Sequence, residues 1–460
     1  MFFKTACFLT SLLSTAAYVD KFFKGFVGKF TQLWNGKKQE QTYLYTSMLT
    51  EEYTPDLTWN STSLNNSIVA ADVVAMDSPL PLKKRGTISR ASGEVAKLGI
   101  KKSLKEKEIS DIMVMQSKGQ QEADIARRVL NNVPKVIGGI HTRVEIMFEQ
   151  GLSEGFVLVA DDTMEGLGIR VDFGYSENNI FHAKAAAWSD TENALPLDDL
   201  RQLFDAAAAN SDTISDIYLS EQYFNYARKC VDVKELVATA NNQVIISAAT
   251  LPMPNRQKTL DALSDEFGAT FHVVNNSYKV EAKDGTQTTV KPWKQGNVIG
   301  VPSSTVGRLV YGTLAEDMNR VPGVTYQNSG FMLVSEYSHN EPSLEEFTAA
   351  QALAMPVIDD GEHVYLLHAD GTGIVSVDPE KLTFTASANN VGKRVRVHAD
   401  KAWTAAVPQA ASWCTVTTSG DEVIVKVSAN SGSGATKRTT TLTITDEEGN
   451  TAEVTIEQAA

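Results

Sequence analysis

Apolar residues recur at helical intervals along one long stretch of the chain, residues 121–152. Spacings of one, three and four positions place these residues on a single face of a helix. That face consists of Val136, Ile137, Ile140, Val144, Met147 and Phe148. Pro134 fits the first turn or a kink, and Gly151 fits the end of the helix. The pattern predicts one long amphipathic helix that buries this face.

Helical and strand-like patterns alternate between Pro196 and Val334. Leucine and phenylalanine residues at helical spacing predict two helices, Pro196–Asn210 and Thr259–Phe267. Short apolar runs predict strands at Ile217–Leu219, Val244–Ala248 and Phe271–Val274. Such alternation is typical of an α/β or α+β unit.

The pattern changes abruptly after Ile358. Helical periodicity stops, and short runs rich in Val and Thr alternate apolar with polar positions. These runs are Leu382–Ala386, Arg394–Val397, Val423–Val427, Thr440–Thr445 and Ala452–Ile456. Glycine-containing turns separate the runs, as in a small antiparallel β-sandwich of roughly 85 residues. We therefore expect a domain boundary near Asp359.

The N-terminal segment supports two interpretations. Met1–Tyr18 contains an early lysine, an apolar stretch and then small residues, which is the order found in a secretory signal. Lys21–Phe30 continues the same phenylalanine and lysine pattern, which favours an N-terminal arm that stays with the protein. Polar and turn-forming residues then continue to Asp77, so this part of the chain reads as an extended arm.

A basic segment follows at residues 78–108, with 9 Lys or Arg against 3 Glu. Basic runs of this kind, here including Lys83, Lys84 and Arg85, also occur in nucleic-acid sites. This segment lacks aromatic residues on which bases could stack. Its glycine-interrupted pattern is typical of a β-hairpin, so we interpret it as a protruding hairpin that faces solvent or a partner.

Composition narrows the possible classes of protein. The 460 residues include 42 Lys plus Arg and 56 Asp plus Glu, a net charge of −14, with 42% hydrophobic residues. This balance is typical of a globular protein of roughly two to four domains, and it argues against a dedicated nucleic-acid binder. Cys7, Cys230 and Cys414 are too far apart to suggest a disulfide framework or a zinc site. No apolar run has the roughly 18 residues that would span a bilayer.

Three sequence motifs typical of enzyme active sites are absent from the sequence. A phosphate-binding GxxxxGK[ST] loop, a HExxH zinc helix and a GxSxG nucleophile elbow do not occur. The adjacent carboxylates Asp161–Asp162, Asp198–Asp199 and Asp359–Asp360 have no partner motif, so we interpret them as helix caps or solvated turns. We therefore expect no enzymatic activity, no cofactor and no metal site, and a role in binding or structure.

Several segments in the first 358 residues resemble one family. They read WSDTENALPLDD at 188–199, VGRLVYGTLAED at 306–317, PGVTYQNSGFMLVSEYS at 322–338 and AAQALAMPVI at 349–358. Two upstream segments, GIKKSLKEKEISDI at 99–112 and GLSEGFVLVADD at 151–162, support them. Together they resemble the major capsid protein family of lambda-type tailed phages.

The resemblance implies an α+β fold of the Hong Kong 97 type, followed here by an all-β immunoglobulin-like sandwich. The expected parts are an N-terminal arm (1–77), an E-loop (78–105), a P-domain with its spine helix (106–187), an A-domain (188–334), a return to the P-domain (335–358), a linker (359–375) and the sandwich (376–460). The pattern predicts independently an arm, a basic hairpin, a long helix and an α/β unit.

The last segment resembles the Bacteroidetes-associated carbohydrate-binding often N-terminal (BACON) domain. The matching residues are Trp403, ASWCTV at 411–416, VIVKVSAN at 423–430, TTTLTIT at 439–445 and VTIEQ at 454–458. The resemblance implies an immunoglobulin-like sandwich suspected of binding glycans. Trp403 and Trp413 are then the candidates for stacking on sugar rings, although tryptophan in a small sandwich is more often a core residue.

The resemblance implies a major capsid protein that self-assembles, as pentamers and hexamers, into the icosahedral head of a double-stranded DNA phage. Expected partners are portal and scaffolding or protease proteins, packaged DNA bound without sequence specificity, and mucin or surface glycans, but no membrane. Such a protein assembles in the host bacterial cytoplasm and ends in the virion. In it, Lys83, Lys84 and Arg85 would contact neighbouring subunits.

Two alternatives stay open. The first is a secreted bacterial surface protein that binds glycans, with a signal peptide and a BACON domain, which leaves residues 78–358 unexplained. The second is an enzyme with a sugar-binding appendage, which the missing acid and base residues weaken.

Overall fold

A computed structural model describes residues 19, 21–29, 43–64, 88–159, 169–241, 251–281, 285–371, 375–379, 381–399, 402–420, 422–430, 436–446 and 451–459. Residues 21–29 are helical. The further helices are α1 (Tyr45–Met48), α2 (Glu106–Ser117), α3 (Glu122–Val129), α4 (Asn132–Glu154), α5 (Pro196–Ala209), α6 (Glu221–Ala227), α7 (Val231–Ala240), α8 (Arg256–Phe267) and α9 (Ala315–Met318). The strand predicted at Val244–Ala248 lies outside the described residues.

The long helix α4 is the centre of the first unit. Its predicted apolar face is buried, with Val136, Ile137 and Val144 each 0% exposed. Pro134 occupies the first turn, where its missing N–H is not needed, so the helix starts at Asn132 and α3 is separate. Two helices therefore replace the single one predicted over 121–152.

The predicted stop at Gly151 is wrong. The helix ends at Glu154, where Gly155 adopts a left-handed φ of 80° and donates its N–H to the Gly151 carbonyl. Gly151 lies inside the helix because Phe173 and Val157 pack against it; a Cβ there would be 2.7 and 2.9 Å from their side chains.

A six-stranded sheet packs against α4. Its order is β1-β13-β16-β15-β14, and β4 pairs with the first half of β16. The strands are β1 (Leu49–Tyr53), β4 (Lys97–Lys105), β13 (Gly307–Gly312), β14 (Thr325–Ser329), β15 (Met332–His339) and β16 (Glu345–Ile358). Buried side chains of α4 and this sheet form one hydrophobic core. The first unit thus joins strands from distant parts of the chain around one helix.

Three two-stranded hairpins accompany this unit. Each pairs antiparallel: β2 (Thr58–Leu64) with β3 (Ile88–Glu94), β5 (Phe156–Val159) with β6 (Ile169–Asp172), and β10 (Tyr278–Glu281) with β11 (Gln287–Val290). Of the basic segment 78–108 predicted to form a hairpin, β3 pairs with β2 and β4 joins the first sheet.

The second unit is a mixed sheet with helices around it. The sheet order is β7-β17-β12-β8-β9, with strands β7 (Ile180–His182), β8 (Asp216–Ser220), β9 (Thr270–Val274), β12 (Asn297–Val301) and β17 (Tyr365–His368). Helices α5 to α8 supply Leu203, Phe224, Val233 and Leu263 to its core. This core is separate from that of the first unit.

The third unit is a sandwich of two four-stranded sheets, β18-β20-β23-β22 and β19-β25-β24-β21. The strands are β18 (Ser376–Asp378), β19 (Lys381–Phe384), β20 (Asn389–His398), β21 (Trp403–Ala406), β22 (Cys414–Ser419), β23 (Glu422–Val427), β24 (Arg438–Asp446) and β25 (Thr451–Gln458). Alternate residues of β23, Val423, Val425 and Val427, point into its core, as the sequence pattern predicts. The strand pairs are antiparallel, as in the predicted sandwich, except for β19 with β25, which is parallel.

The predicted bounds of the parts differ from the observed pairing. The β2–β3 hairpin starts at Thr58, inside the predicted arm. β4 belongs to the first sheet, although the family resemblance places residues 78–105 in the E-loop. Likewise, residues 307–334 of the predicted A-domain lie in the first sheet. The segment 359–375 is not merely a linker, because β17 is a buried strand of the second sheet. A body of helices and strands followed by an all-β sandwich agrees with the α+β fold class expected from the sequence.

Candidate functional site

The three basic residues predicted to contact neighbouring subunits, Lys83, Lys84 and Arg85, lie outside the described residues. Three other lysines of the basic segment, Lys97, Lys101 and Lys105, are exposed in β4. Their spacing of four puts them on one face of the strand. Lys101 Nζ lies 4.6 Å from the centre of the Phe347 ring. The basic segment therefore also gives the first sheet a positively charged edge strand.

The base of the β2–β3 hairpin is fixed to the first unit by an aromatic side chain. Trp59 is 2% exposed, and its ring centre lies 6.1 Å from that of Phe173. Gly93, directly opposite Trp59 in the register, leaves room for the indole. A Cβ on Gly93 would be 2.8 Å from Trp59 Nε1. This packing joins the base of the hairpin to the core of the first unit.

We expect Gly93→Ala to destabilise the protein by about 1–3 kcal/mol, because the added methyl group must displace the buried indole. Urea unfolding followed by circular dichroism would measure the change. Gly99→Ala in β4 is the matched control, since its nearest atom would be Gln351 Cγ at 3.9 Å. Equal stability of the two variants would contradict this account of the hairpin base.

A polar stripe runs along one side of α4 at intervals of four residues: His141, Glu145, Glu149 and Ser153. All four are buried, and both glutamates are 0% exposed. The spacing puts them one above another along the helix. This stripe was not predicted, although polar residues at every fourth position beside the apolar face are a signal present in the sequence.

The N-terminal half of the stripe, His141 and Glu145, binds the segment that precedes β1. Glu145 accepts hydrogen bonds from the backbone N–H groups of Leu44 and Tyr45, at 2.6 and 2.9 Å. The Tyr45 hydroxyl contacts His141 Nδ1. Tyr43 bonds through its hydroxyl to Thr142 at 2.9 Å. These contacts attach residues 43–48 to the helix.

The C-terminal half of the stripe, Glu149 and Ser153, binds the start of the β10–β11 hairpin and parts of the second unit. Glu149 Oε1 accepts from Asn276 Nδ2 at 2.6 Å and from the Tyr278 hydroxyl at 3.2 Å. Ser153 Oγ accepts from the Lys294 N–H at 3.1 Å, and its carbonyl accepts from Asn297 Nδ2 at 2.7 Å. One helix therefore connects the arm, the first sheet and the second unit.

The adjacent aspartates are less solvated than predicted. Asp198 and Asp199 do lie in the first turn of α5, as expected. Asp199, however, is 0% exposed and accepts from the Lys184 N–H at 2.8 Å and Trp188 Nε1 at 2.9 Å. The Asp359 carboxylate accepts hydrogen bonds from Nε and Nη2 of Arg308, at 2.7 and 2.8 Å. Asp161 and Asp162 lie outside the described residues.

The two tryptophans of the sandwich are half-buried and pack against its core. Arg438 lies over Trp413, with its guanidinium carbon 4.4 Å from the ring centre. That arginine is held in place by Gln458 Oε1 and the Ser428 carbonyl. One face of the Trp413 indole is thus covered by Arg438.

Arg396 links the sandwich to the first unit by an ion pair of 2.6 Å with Asp172. The two side chains are 33% and 42% exposed, so the pair contributes little to stability. In the described residues, no cluster of three or more His, Cys, Asp or Glu side chains could hold a metal ion. None of the helices described is long and apolar enough to cross a membrane.

Two family models match separate parts of this chain. The family described as phage major capsid protein E matches residues 28–360. The BACON family, described as a putative binding domain, N-terminal, matches residues 401–459. No curated protein sequence is a significant match.

Several solved structures are similar to this chain. One is the putative capsid protein of an Escherichia coli CFT073 prophage, with 13% identity, 74% of this chain and 98% of that one covered, and a TM-score of 0.46. A phage-related protein from Bordetella bronchiseptica RB50 has 13% identity, coverage of 75% and 97%, and a TM-score of 0.42. The capsid of cyanophage A-1(L) has 11% identity, coverage of 72% and 94%, and a TM-score of 0.40.

Proposed function

Because this chain belongs to the phage major capsid protein E family, we propose that it forms the icosahedral head of a tailed double-stranded DNA phage. The family match over residues 28–360 carries this proposal, since it includes α4, the whole first sheet and every strand of the second sheet except β17. The chain would act as a non-enzymatic building block, assembled in the bacterial cytoplasm and located in the virion. Portal, scaffolding or protease proteins and the packaged DNA would be its partners there.

The observed units suggest which part has which role in the shell. We assign the β2–β3 hairpin to the E-loop, α4 with the first sheet to the P-domain, and the second unit to the A-domain. The register supports this division, because β16 joins β4, β13 and β15 in one sheet while β17 joins the other. These bounds replace the ones predicted from sequence alone.

The proposed mechanism of assembly is geometric. The hairpin would lie across a neighbouring subunit, the second units would meet at capsomer centres, and the N-terminal arm would reach a further neighbour. Each contact can be weak, because several contacts per subunit add their free energies and raise the effective concentration of the remaining ones. The net charge of −14 suits basic hairpin residues that meet acidic neighbours.

We assign the sandwich to the outer surface of the shell. It follows the body as a separate unit with its own core, so it need not be part of the lattice contacts. Binding of mucin or surface glycans through Trp403 stays a prediction, supported by the BACON match and the half-buried indole.

Negative-stain electron microscopy of the chain expressed in bacteria is expected to show capsid-like particles or capsomers. The reason is that a family member of this kind carries its assembly contacts in its own fold. The alternative of a secreted glycan-binding protein predicts the opposite result. Soluble monomers that lose Met1 to Ala17 on export would contradict the capsid proposal.

A further inference from the structure

Glu145 and Glu149 are two fully buried carboxyl groups one helical turn apart. Both are 0% exposed, and the hydrogen bonds they accept come from neutral groups: two backbone amides, an asparagine and a tyrosine. Among the described residues, no Lys or Arg forms an ion pair with either one. Two ionised carboxylates in such a place would repel each other in a medium of low dielectric constant.

The pair can avoid this repulsion by holding one proton between them. Glu149 Oε2 is buried and has no hydrogen-bond partner among the described residues, so a proton there can be shared with Glu145 one helical turn away. A hydrogen bond between carboxyl groups needs a proton on one of them, because ionised carboxylates only accept. Burial and the neighbouring Glu149 raise the pKa of Glu145 to about 8, and burial raises that of Glu149.

The other titratable groups around the pair stay neutral near physiological pH. Burial lowers the pKa of His141 to about 3, so it is uncharged. Burial raises the pKa values of Tyr43, Tyr45 and Tyr278 above that of an ordinary tyrosine. Glu51 acts on Tyr45 from β1 only as a distant charge. Among these groups, Glu145 is therefore the one whose raised pKa, about 8, lies closest to physiological pH.

We propose that Glu145 and Glu149 form a proton-controlled latch. With one proton between them they hold residues 43–48 and the Asn276–Tyr278 segment on α4. Loss of that proton leaves two buried negative charges, and the attached segments separate from the helix to let water reach them. The latch belongs to the folded subunit and does not depend on the proposed capsid function.

The direction of the pH effect follows from the proton count. The docked state binds more protons than the open state, because the pKa of Glu145 is raised from 4.5 on docking. Docking is therefore most favourable below pH 4.5 and weakens as the pH rises towards 8. One proton gives a change of up to about tenfold in the opening equilibrium per pH unit. Above about pH 8, where Glu145 is ionised in both states, the opening equilibrium no longer changes with pH.

Hydrogen–deuterium exchange of the full chain tests the latch directly, since the Leu44 and Tyr45 amides donate to Glu145. After correction for the intrinsic pH dependence of exchange, their protection factors are expected to fall roughly tenfold or more between pH 6 and 8. Constant protection over this range in the unmodified protein would overturn the proposal, whatever any variant does.

Glu149→Gln removes the second ionisable group but keeps its shape, and its amide can donate to an ionised Glu145. We expect this variant to show a nearly flat profile. Glu336→Gln is the matched control, because Glu336 is also a buried carboxyl group with a pKa raised to about 9 by burial but bonds to Thr348 instead. A full pH dependence in Glu149→Gln, or its loss in Glu336→Gln, would overturn the latch.

Discussion

Changing Lys83, Lys84 and Arg85 together to glutamate is expected to lower the yield of assembled shells at least tenfold. The change replaces three positive charges by three negative ones in the proposed E-loop of a protein whose net charge is already −14. Like charges brought together at an interface cost several kcal/mol, and every subunit in the lattice would meet that cost. Sedimentation and electron microscopy of the purified protein would measure the yield.

The control keeps the same change in net charge on a different unit. Lys381, Arg394 and Lys437 are exposed residues of the sandwich whose ion partners are Glu457 and Glu422. Exposed pairs of this kind contribute little, so their replacement by glutamate should leave the fold intact. Normal shells from the hairpin variant, or equal loss in both variants, would contradict the role assigned to the hairpin.

Trp188→Ala is expected to destabilise the second unit by about 3–5 kcal/mol. Trp188 is 0% exposed in the core formed with α5 to α8, so truncation leaves a large cavity. It also removes the Nε1–H donor from Asp199, a carboxylate that is itself fully buried. Urea unfolding monitored by circular dichroism would follow the loss of these helices.

Trp188→Phe separates the two causes. Phenylalanine fills most of the space but cannot donate to Asp199, so we expect a loss of about 1–3 kcal/mol. If Trp188→Ala costs less than about 1 kcal/mol, the indole is not the packing centre of this unit. The first residue of WSDTENALPLDD, a motif that carries the family resemblance, would then contribute little to the stability of the unit.

The sequence predicted the elements whose signals are local. The apolar face of α4 and the alternating runs of the sandwich are periodic over neighbouring residues, and the structure buries the same residues. The predictions are wrong where a helix begins, ends or is interrupted. Gly151 resembles a helix stop in sequence, yet its missing side chain serves close packing with Phe173 and Val157.

Strand pairing across the chain was not predictable in this way. Leu49–Tyr53 pairs with Gly307–Gly312, and Lys97–Lys105 pairs with the first half of β16. Periodicity indicates which face of a strand is buried, but many partners would satisfy the same pattern. The predicted bounds of arm, hairpin and A-domain differ from the observed strand pairing for this reason.

The sequence by itself determined the unit types, the long helix, the terminal sandwich and, through its motifs, the family. Only the tertiary structure decided that Glu145 and Glu149 are buried together and that a segment about 100 positions away donates to one of them. A glutamate in a helix is ordinarily a solvated residue, and nothing in its neighbours along the chain says otherwise. Its chemistry changes because packing removes water and brings a second carboxylate and two backbone amides into contact with it.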